Sequence, residues 1–166
     1  MQTLAAILKQ KLENAVRVAV LGVGSDLRGD DVAGILTARH IEKITKQKTS
    51  SPDVQVFIGD TAPENLTGEI KKFQPTHLII IDSADLDAEP GHIKVLNLDD
   101  IGGTSFCTHS LPLKVMTDYL LRSFNFQVIP IGIQPKTLTV GARPSKQIVQ
   151  AARQLSTTIA KLLKKS

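Results

Sequence analysis

The chain contains few of the residues that mark secreted, membrane or redox proteins. Only one of its 166 residues is cysteine, and its longest apolar runs, such as residues 78–81, are far too short to cross a bilayer. A single cysteine cannot form an internal disulfide, so we expect a reducing, cytoplasmic environment. The first residues, MQTLAAILKQKLENA, lack a leading basic cluster and predict an amphipathic helix, not a signal peptide. We expect no membrane insertion.

Aromatic residues are also scarce, which limits what the positive charge of the chain can mean. There are five Phe, one Tyr and no Trp, and 20 basic and 16 acidic side chains give a formal net charge of +4. So few rings leave little for base stacking. Much of the basic excess lies in residues 43–48 and 161–165, where predicted helices end and cations complement the helix dipole. We therefore expect no nucleic-acid partner.

No complete nucleotide-binding signature is present, although residues 18–34, VAVLGVGSDLRGDDVAG, begin like one. After Gly22 and Gly24, Leu27 stands where the dinucleotide fingerprint needs a third glycine, and the lysine of a P-loop is missing. Asp30 and Asp31 would repel a phosphate at the helix start that follows. The residues leave two interpretations of this acidic pair open: a helix cap, which needs only one carboxylate, or a functional site.

Apolar runs of strand length alternate with helical stretches, which is typical of an α/β protein. The run LIIID, residues 78–82, is apolar at consecutive positions, as expected for a strand covered on both faces. We predict a single domain over residues 1–166, folded as a three-layer α/β/α sandwich with a twisted, mostly parallel sheet of about five strands. The predicted strands are Val16–Gly22, Val54–Ile58, His77–Asp82, His92–Leu96 and Gln127–Ile133. The predicted helices are Leu4–Glu13, Asp31–Lys46, Pro63–Phe73, Leu111–Phe124 and Pro144–Lys164.

Three local signals refine this scheme. The tripeptide EPG at residues 89–91 could close a hairpin after residue 82, which would make one strand antiparallel. Thr61 and Glu64 have the spacing of a capping box. Ser110, followed by proline two residues later, is predicted to cap the next helix.

Polar residues collect where the predicted strands end, which is where ligands bind in open α/β sheets. Asp31 follows the first predicted strand, Asp82 ends the third, and His109 lies just before a helix. In the predicted fold these three side chains can converge on one crevice. Asp60 and Asp85 resemble Asp82 but lie further into loops, so we rank them below it.

Two carboxylates and one imidazole suit a transition metal with open coordination positions, whereas magnesium would favour oxygen ligands alone. The three residues share no local motif, and each could instead cap a loop or make an ordinary loop hydrogen bond. Cys107, two residues before His109, could form a nucleophile with it, but a lone cysteine is more often a small core residue. The common signatures of serine hydrolases, zincins and C-x-x-C redox proteins are absent.

Five segments between about residues 16 and 135 together resemble the hydrogenase maturation endopeptidases. In order, they are LGVGSDLRGDDVAG, GDTAPENL, HLIIIDSAD, CTHSLPLKVMTDYL and IPIGIQP. The likeness is greatest to the branch that processes the large subunit of hydrogenase-3, of the formate hydrogenlyase type. The resemblance implies an α/β/α sandwich and an endopeptidase of the aspartic-type class. Such an enzyme removes the C-terminal extension of a [NiFe]-hydrogenase large-subunit precursor after nickel insertion.

The resemblance also implies roles for the three candidate residues. It places the family's metal ligands on Asp31, Asp82 and His109, with nickel carried by the precursor and used for recognition. Asp31 and Asp82 are then the expected catalytic residues: either the metal polarises the carbonyl or activates water, or a carboxylate such as Asp31 acts as general base. The precursor is the expected partner, and a monomer is the simplest state for a protein that acts on another protein's tail.

Two other functions are compatible with the same residues. A nickel-dependent chaperone would bind the precursor without cleaving it. A small metal-dependent phosphohydrolase could use the same acids, although the histidine and the missing phosphate cradle count against it.

Overall fold

Five strands form one sheet in the computed structural model, which describes residues 2–46, 52–101 and 109–164. The strands are β1 (Arg17–Val23), β2 (Asp53–Asp60), β3 (His77–Ser83), β4 (Ile93–Val95) and β5 (Gln127–Ile133). Their order across the sheet is β2-β1-β3-β5-β4. β1 pairs parallel with β2 and with β3, β3 pairs parallel with β5, and β4 pairs antiparallel with β5. The predicted mostly parallel sheet of about five strands is confirmed.

The hairpin predicted after residue 82 is wrong, although one strand is antiparallel as it implied. β4 lies at the sheet edge beside β5, and β5 separates it from β3. The connecting residues 84–92 are held by the end of β5 instead: the Ala84 N–H donates to the Ile133 carbonyl at 3.0 Å, and the Gln134 N–H donates to the His92 carbonyl at 2.9 Å. The connection therefore passes over the end of a strand that comes later in the chain.

Within the described ranges, five α-helices surround this sheet, and 3₁₀ turns precede two of them. The helices are α1 (Leu4–Lys11), α2 (Ala33–Thr45), α3 (Thr67–Phe73), α4 (Ser110–Ser123) and α5 (Lys146–Leu163). The 3₁₀ turns are Gly29–Val32 before α2, Pro63–Leu66 before α3, and Leu98–Asp100 after β4. The helix predicted to start at Asp31 thus begins as a tighter turn at Gly29.

Helices cover both faces of the sheet, which confirms the three-layer architecture. Ile79 and Ile81 of β3 pack in one core with α1, α2 and α5. Leu78 and Ile80 point the opposite way and pack in a second core with α3 and α4. Every residue of β3 is buried, which explains why this strand is an unbroken apolar run in the sequence.

The two predicted helix caps are wrong. The turn before α3 has Ala62 at its N-cap and no side-chain cap, and Thr61 lies one residue before that position. α4 begins at Ser110 itself, and His109 occupies the N-cap position without capping the helix. The His109 imidazole bonds to Asp82 instead.

Among the described residues, no helix is both long and apolar enough to span a membrane.

Candidate metal centre

Three buried side chains meet beyond the carboxyl ends of β1 and β3. Asp31 lies in the 3₁₀ turn that follows β1, Asp82 is the penultimate residue of β3, and His109 precedes α4. Asp31 and Asp82 are fully buried and His109 is 4% exposed. One ligand atom from each side chain lies within 4.8 Å of the other two. The structure therefore brings together the three residues that the sequence singles out, from positions 51 and 27 residues apart.

The glycine-rich turn brings Asp31 close to the sheet. Gly24 has a φ of 147°, and a Cβ at this position would lie 1.8 Å from the Asp31 carbonyl oxygen. The next residue, Ser25, donates its N–H to that same carbonyl at 3.2 Å. At Gly34, the second residue of α2, a Cβ would lie 2.0 Å from the carbonyl oxygen of Ile81 in β3. These glycines make room for backbone-on-backbone packing around Asp31, a use quite different from holding a phosphate.

Ser83 links the two carboxylates and is the site residue that the sequence analysis missed. Its hydroxyl donates to Oδ1 of Asp31 at 2.8 Å, and its N–H donates to Oδ1 of Asp82 at 2.7 Å. Ser83 is fully buried at the end of β3. The sequence signal that could have identified Ser83 is a hydroxyl residue immediately after the aspartate that ends an apolar strand.

The Asp82 carboxylate and the His109 imidazole form a buried, charge-coupled pair. Oδ2 of Asp82 lies 3.3 Å from Nδ1 of His109. Burial raises the pKa of Asp82 to about 6, although the hydrogen bond from His109 opposes this shift. Burial alone would lower the pKa of His109, but the hydrogen bond to Asp82 and the charges of both aspartates outweigh it and raise that pKa. The two aspartates thus make this end of the sheet attractive to a cation.

One arginine, Arg28, lies at the start of the same turn, and its charge acts on the cluster. Arg28 accepts the Asp31 N–H at its carbonyl, and the positive charge of its side chain opposes protonation of His109. Its Nε is buried and has no hydrogen-bond partner among the residues that the structure describes.

Asp30, although adjacent to Asp31, has a different role. Its fully buried carboxylate accepts hydrogen bonds from the backbone of Lys136 at 2.7 Å and of Ser145 at 2.6 Å, and from the Ser145 hydroxyl at 2.9 Å. Ser145 is the N-cap of α5. Asp30 therefore fastens the loop after β5 to the site turn. Arg28 is the N-cap residue of the 3₁₀ turn, so neither aspartate takes the capping position, and both lie in its first turn.

The lower-ranked candidates lie outside the cluster. Asp60 is the exposed last residue of β2, and Asp85 is an exposed loop residue that accepts the N–H of Asp87 at 3.3 Å. The other histidines, at positions 40, 77 and 92, are likewise not among the three clustered side chains. Cys107 lies outside the described residues.

The donor set fits a transition metal bound at an incomplete site. Imidazole nitrogen and carboxylate oxygen are ligands that zinc and nickel share, whereas magnesium and calcium favour oxygen alone. Two ligands about 2.1 Å from one ion stand roughly 3.0–3.4 Å apart at tetrahedral or octahedral angles, and the Asp82–His109 separation is 3.3 Å. Three protein ligands leave coordination positions for groups that a substrate brings.

Comparison with known proteins points to one family. A family model described as HycI, hydrogenase maturation protease, matches residues 38–162, a range that includes Asp82 and His109 and begins after Asp31. The hydrogenase 3 maturation protease of Escherichia coli is 36% identical over 117 residues, which cover 70% of this chain and 71% of the relative.

Solved structures give the same result. A crystal structure of the [NiFe] hydrogenase maturation protease HycI from Thermococcus kodakarensis is 28% identical with a TM-score of 0.83, over 95% of this chain and 99% of that one. The solution structure of the endopeptidase HycI from Escherichia coli is 31% identical with a TM-score of 0.73, over 88% and 90% of the two chains.

Proposed function

Because the chain belongs to the hydrogenase maturation protease family and is thus a peptidase, we propose that it removes the C-terminal extension of a [NiFe]-hydrogenase large-subunit precursor after nickel insertion. The observation that carries the proposal is the buried cluster of Asp31, Asp82 and His109. A protease that only had to hold an extended peptide would need no such set of cation ligands.

In this proposal the nickel belongs to the substrate, which holds it through cysteine thiolates. Asp31, Asp82 and His109 complete its coordination, and the mixture of thiolate, imidazole and carboxylate suits a first-row transition metal. A precursor without nickel offers the two carboxylates no cation. Recognition therefore depends on metal loading, and it positions the bond to be cleaved beside the cluster.

Hydrolysis of a peptide bond requires a polarised carbonyl and an activated water. Bound nickel supplies Lewis-acid polarisation. Asp31 accepts the proton of the attacking water, and Asp82 and His109 hold the metal beside the bond to be cleaved. These assignments make the enzyme aspartic-type in the sense that its carboxylates act on water. Ser83 donates its hydroxyl to Asp31 and its N–H to Asp82, so it hydrogen-bonds to both carboxylates.

The surroundings of the cluster support a protein substrate. Leu27, Leu111 and Val140 are each more than 70% exposed. Leu27 and Val140 lie on adjoining loops, since the Leu27 carbonyl accepts the N–H of residue 141 at 2.8 Å, and Leu111 is two residues after His109. Exposed apolar side chains beside a site are typical of a protein-binding surface. We further propose that the enzyme acts as a monomer in the cytoplasm, as the sequence suggested.

The test is mass spectrometry of a large-subunit precursor from the same organism, incubated with the protein with and without nickel loading. We expect loss of one defined C-terminal peptide from the nickel-loaded form only. His109→Gln should abolish this cleavage, whereas His92→Gln, which changes an exposed histidine outside the cluster, should not. Binding of an uncleaved, loaded precursor would instead support the chaperone function, and cleavage without nickel would refute the metal role of the cluster.

A further inference from the structure

One serine holds one oxygen of each carboxylate in the cluster. The Ser83 hydroxyl donates to Oδ1 of Asp31 at 2.8 Å, while its N–H donates to Oδ1 of Asp82 at 2.7 Å. All three residues are fully buried. Ser83 itself is fixed by the sheet, because it pairs with Ile133 of β5. Ser83 therefore fixes two candidate ligands, 51 residues apart in the sequence, relative to the end of one strand.

This arrangement determines how each aspartate can meet a cation. Because Ser83 donates to Oδ1 of each carboxylate, that oxygen is the weaker ligand, and we expect each aspartate to bind a metal through Oδ2. Oδ2 of Asp82 is the atom that faces His109. Without the Ser83 hydroxyl, the Asp31 carboxylate could turn and bind a metal through both oxygens or tilt away from it.

Three other buried hydroxyl groups among the described residues are used differently from that of Ser83. Thr37, Thr117 and Ser156 each donate to a backbone carbonyl of their own helix, which is the ordinary way to satisfy such a group. Ser83 donates instead to a carboxylate far away in sequence. Groups that orient metal ligands in this way affect metal affinity although they never touch the metal.

We propose that Ser83 is a positioning residue that makes Asp31 and Asp82 one-oxygen ligands and thereby sets how well the protein distinguishes a nickel-loaded from a nickel-free precursor. The inference rests on the proposed function, since it assumes that the cluster meets nickel carried by the precursor. It assigns to Ser83 no direct contact with substrate.

The experiment compares the dissociation constants of the nickel-loaded and nickel-free precursors, measured over times short relative to cleavage. We expect Ser83→Ala to reduce the ratio of the two constants by about 10- to 100-fold. Ser83→Thr keeps the hydroxyl and should retain most of the discrimination. Ser156→Ala is the matched control, because it removes a buried serine hydroxyl far from the cluster, and it should leave the ratio unchanged.

The possible results separate the two proposals. Equal ratios for the wild-type protein and Ser83→Ala, with discrimination intact, would overturn the positioning role alone. A wild-type ratio near one would overturn the proposed metal recognition and the role of Ser83 with it. If Ser83→Ala melts below the assay temperature, Ser83→Cys replaces it; its thiol fills similar space but donates weakly, so an undiminished ratio in that variant would also overturn the role.

Discussion

Asp30 and Asp31 are neighbours in sequence and both fully buried, yet the structure predicts opposite consequences for the same substitution. The two changes are Asp30→Asn and Asp31→Asn, each nearly isosteric. The first should cost stability and the second should cost function. The two variants serve as controls for each other, because they carry the same substitution at neighbouring buried positions.

The magnitude for Asp30 follows from its donors. Backbone N–H groups approach both of its oxygens: Ser145 donates to Oδ1 at 2.6 Å, and Lys136 donates to Oδ2 at 2.7 Å. An asparagine amide has only one oxygen, so in either orientation one of these N–H groups faces another donor. Losing a bond to a charged acceptor and leaving a buried donor unpaired together cost about 3 kcal/mol. For a chain of this size that corresponds to a fall in melting temperature of about 6–12 °C.

Asp31→Asn should behave differently. The amide oxygen can still accept the Ser83 hydroxyl, which lies 2.8 Å from Oδ1 in the native protein. A neutral amide is also less costly to bury than a carboxylate, so the free energy of unfolding should change by less than about 1 kcal/mol. Cleavage of the nickel-loaded precursor should nevertheless be lost.

Thermal unfolding followed by circular dichroism, together with the cleavage assay at a temperature where both variants are folded, measures the two effects. The reasoning would be refuted by an Asp30→Asn protein that melts within about 2 °C of the wild type. It would equally be refuted by an Asp31→Asn protein that loses as much stability as Asp30→Asn.

Two further predictions concern stability. Gly24→Ala should be severely destabilising and should also abolish cleavage, because the new Cβ would lie 1.8 Å from the Asp31 carbonyl oxygen. Gly68→Ala is the matched control: Gly68 lies in α3 with nothing within 4 Å of a new Cβ, so this change should raise the free energy of unfolding in urea by about 0.5–1 kcal/mol. Similar results for the two variants would contradict the packing argument. Burial lowers the pKa of His77 below its ordinary value of 6.5, so the native state binds fewer protons than the unfolded state and stability is lost as pH falls through 6.5. His77→Gln should therefore reduce the loss of stability between pH 7.5 and about pH 5, while the exposed-site control His92→Gln should leave that loss as it is.

The sequence predicts the sheet and the buried strand β3 well, because both depend on the local pattern of apolar residues. β3 is buried on both faces, and its apolar run ending in Asp82 shows this directly. The position of β4 could not be predicted in the same way. Its pairing with β5 depends on a strand that appears some thirty residues later, and the local turn signal at residues 89–91 equally suits a hairpin.

The candidate site shows the same division between local and non-local information. Its two carboxylates and one imidazole lie next to the ends of predicted strands and helices, so the sequence alone can identify them as candidates. The role of Ser83 depends on where a turn 52 residues away places Asp31, so no local pattern reveals it. The different roles of Asp30 and Asp31 also depend on tertiary structure, because the 3₁₀ turn directs one toward the loop after β5 and the other toward β3.

The buried aspartates differ most in how completely the protein compensates their charge, and this difference distinguishes a structural carboxylate from a ligand. Asp30 receives short bonds at both oxygens from the loop after β5, so its charge is satisfied without any cation. Asp82 receives one N–H and a longer contact to His109, and its pKa remains raised to about 6. A buried carboxylate that is incompletely compensated gains stability from a bound cation. The same burial that makes Asp30 a fastening residue therefore leaves Asp82 with a charge that a cation would stabilise, as the proposed recognition of a nickel-loaded precursor requires.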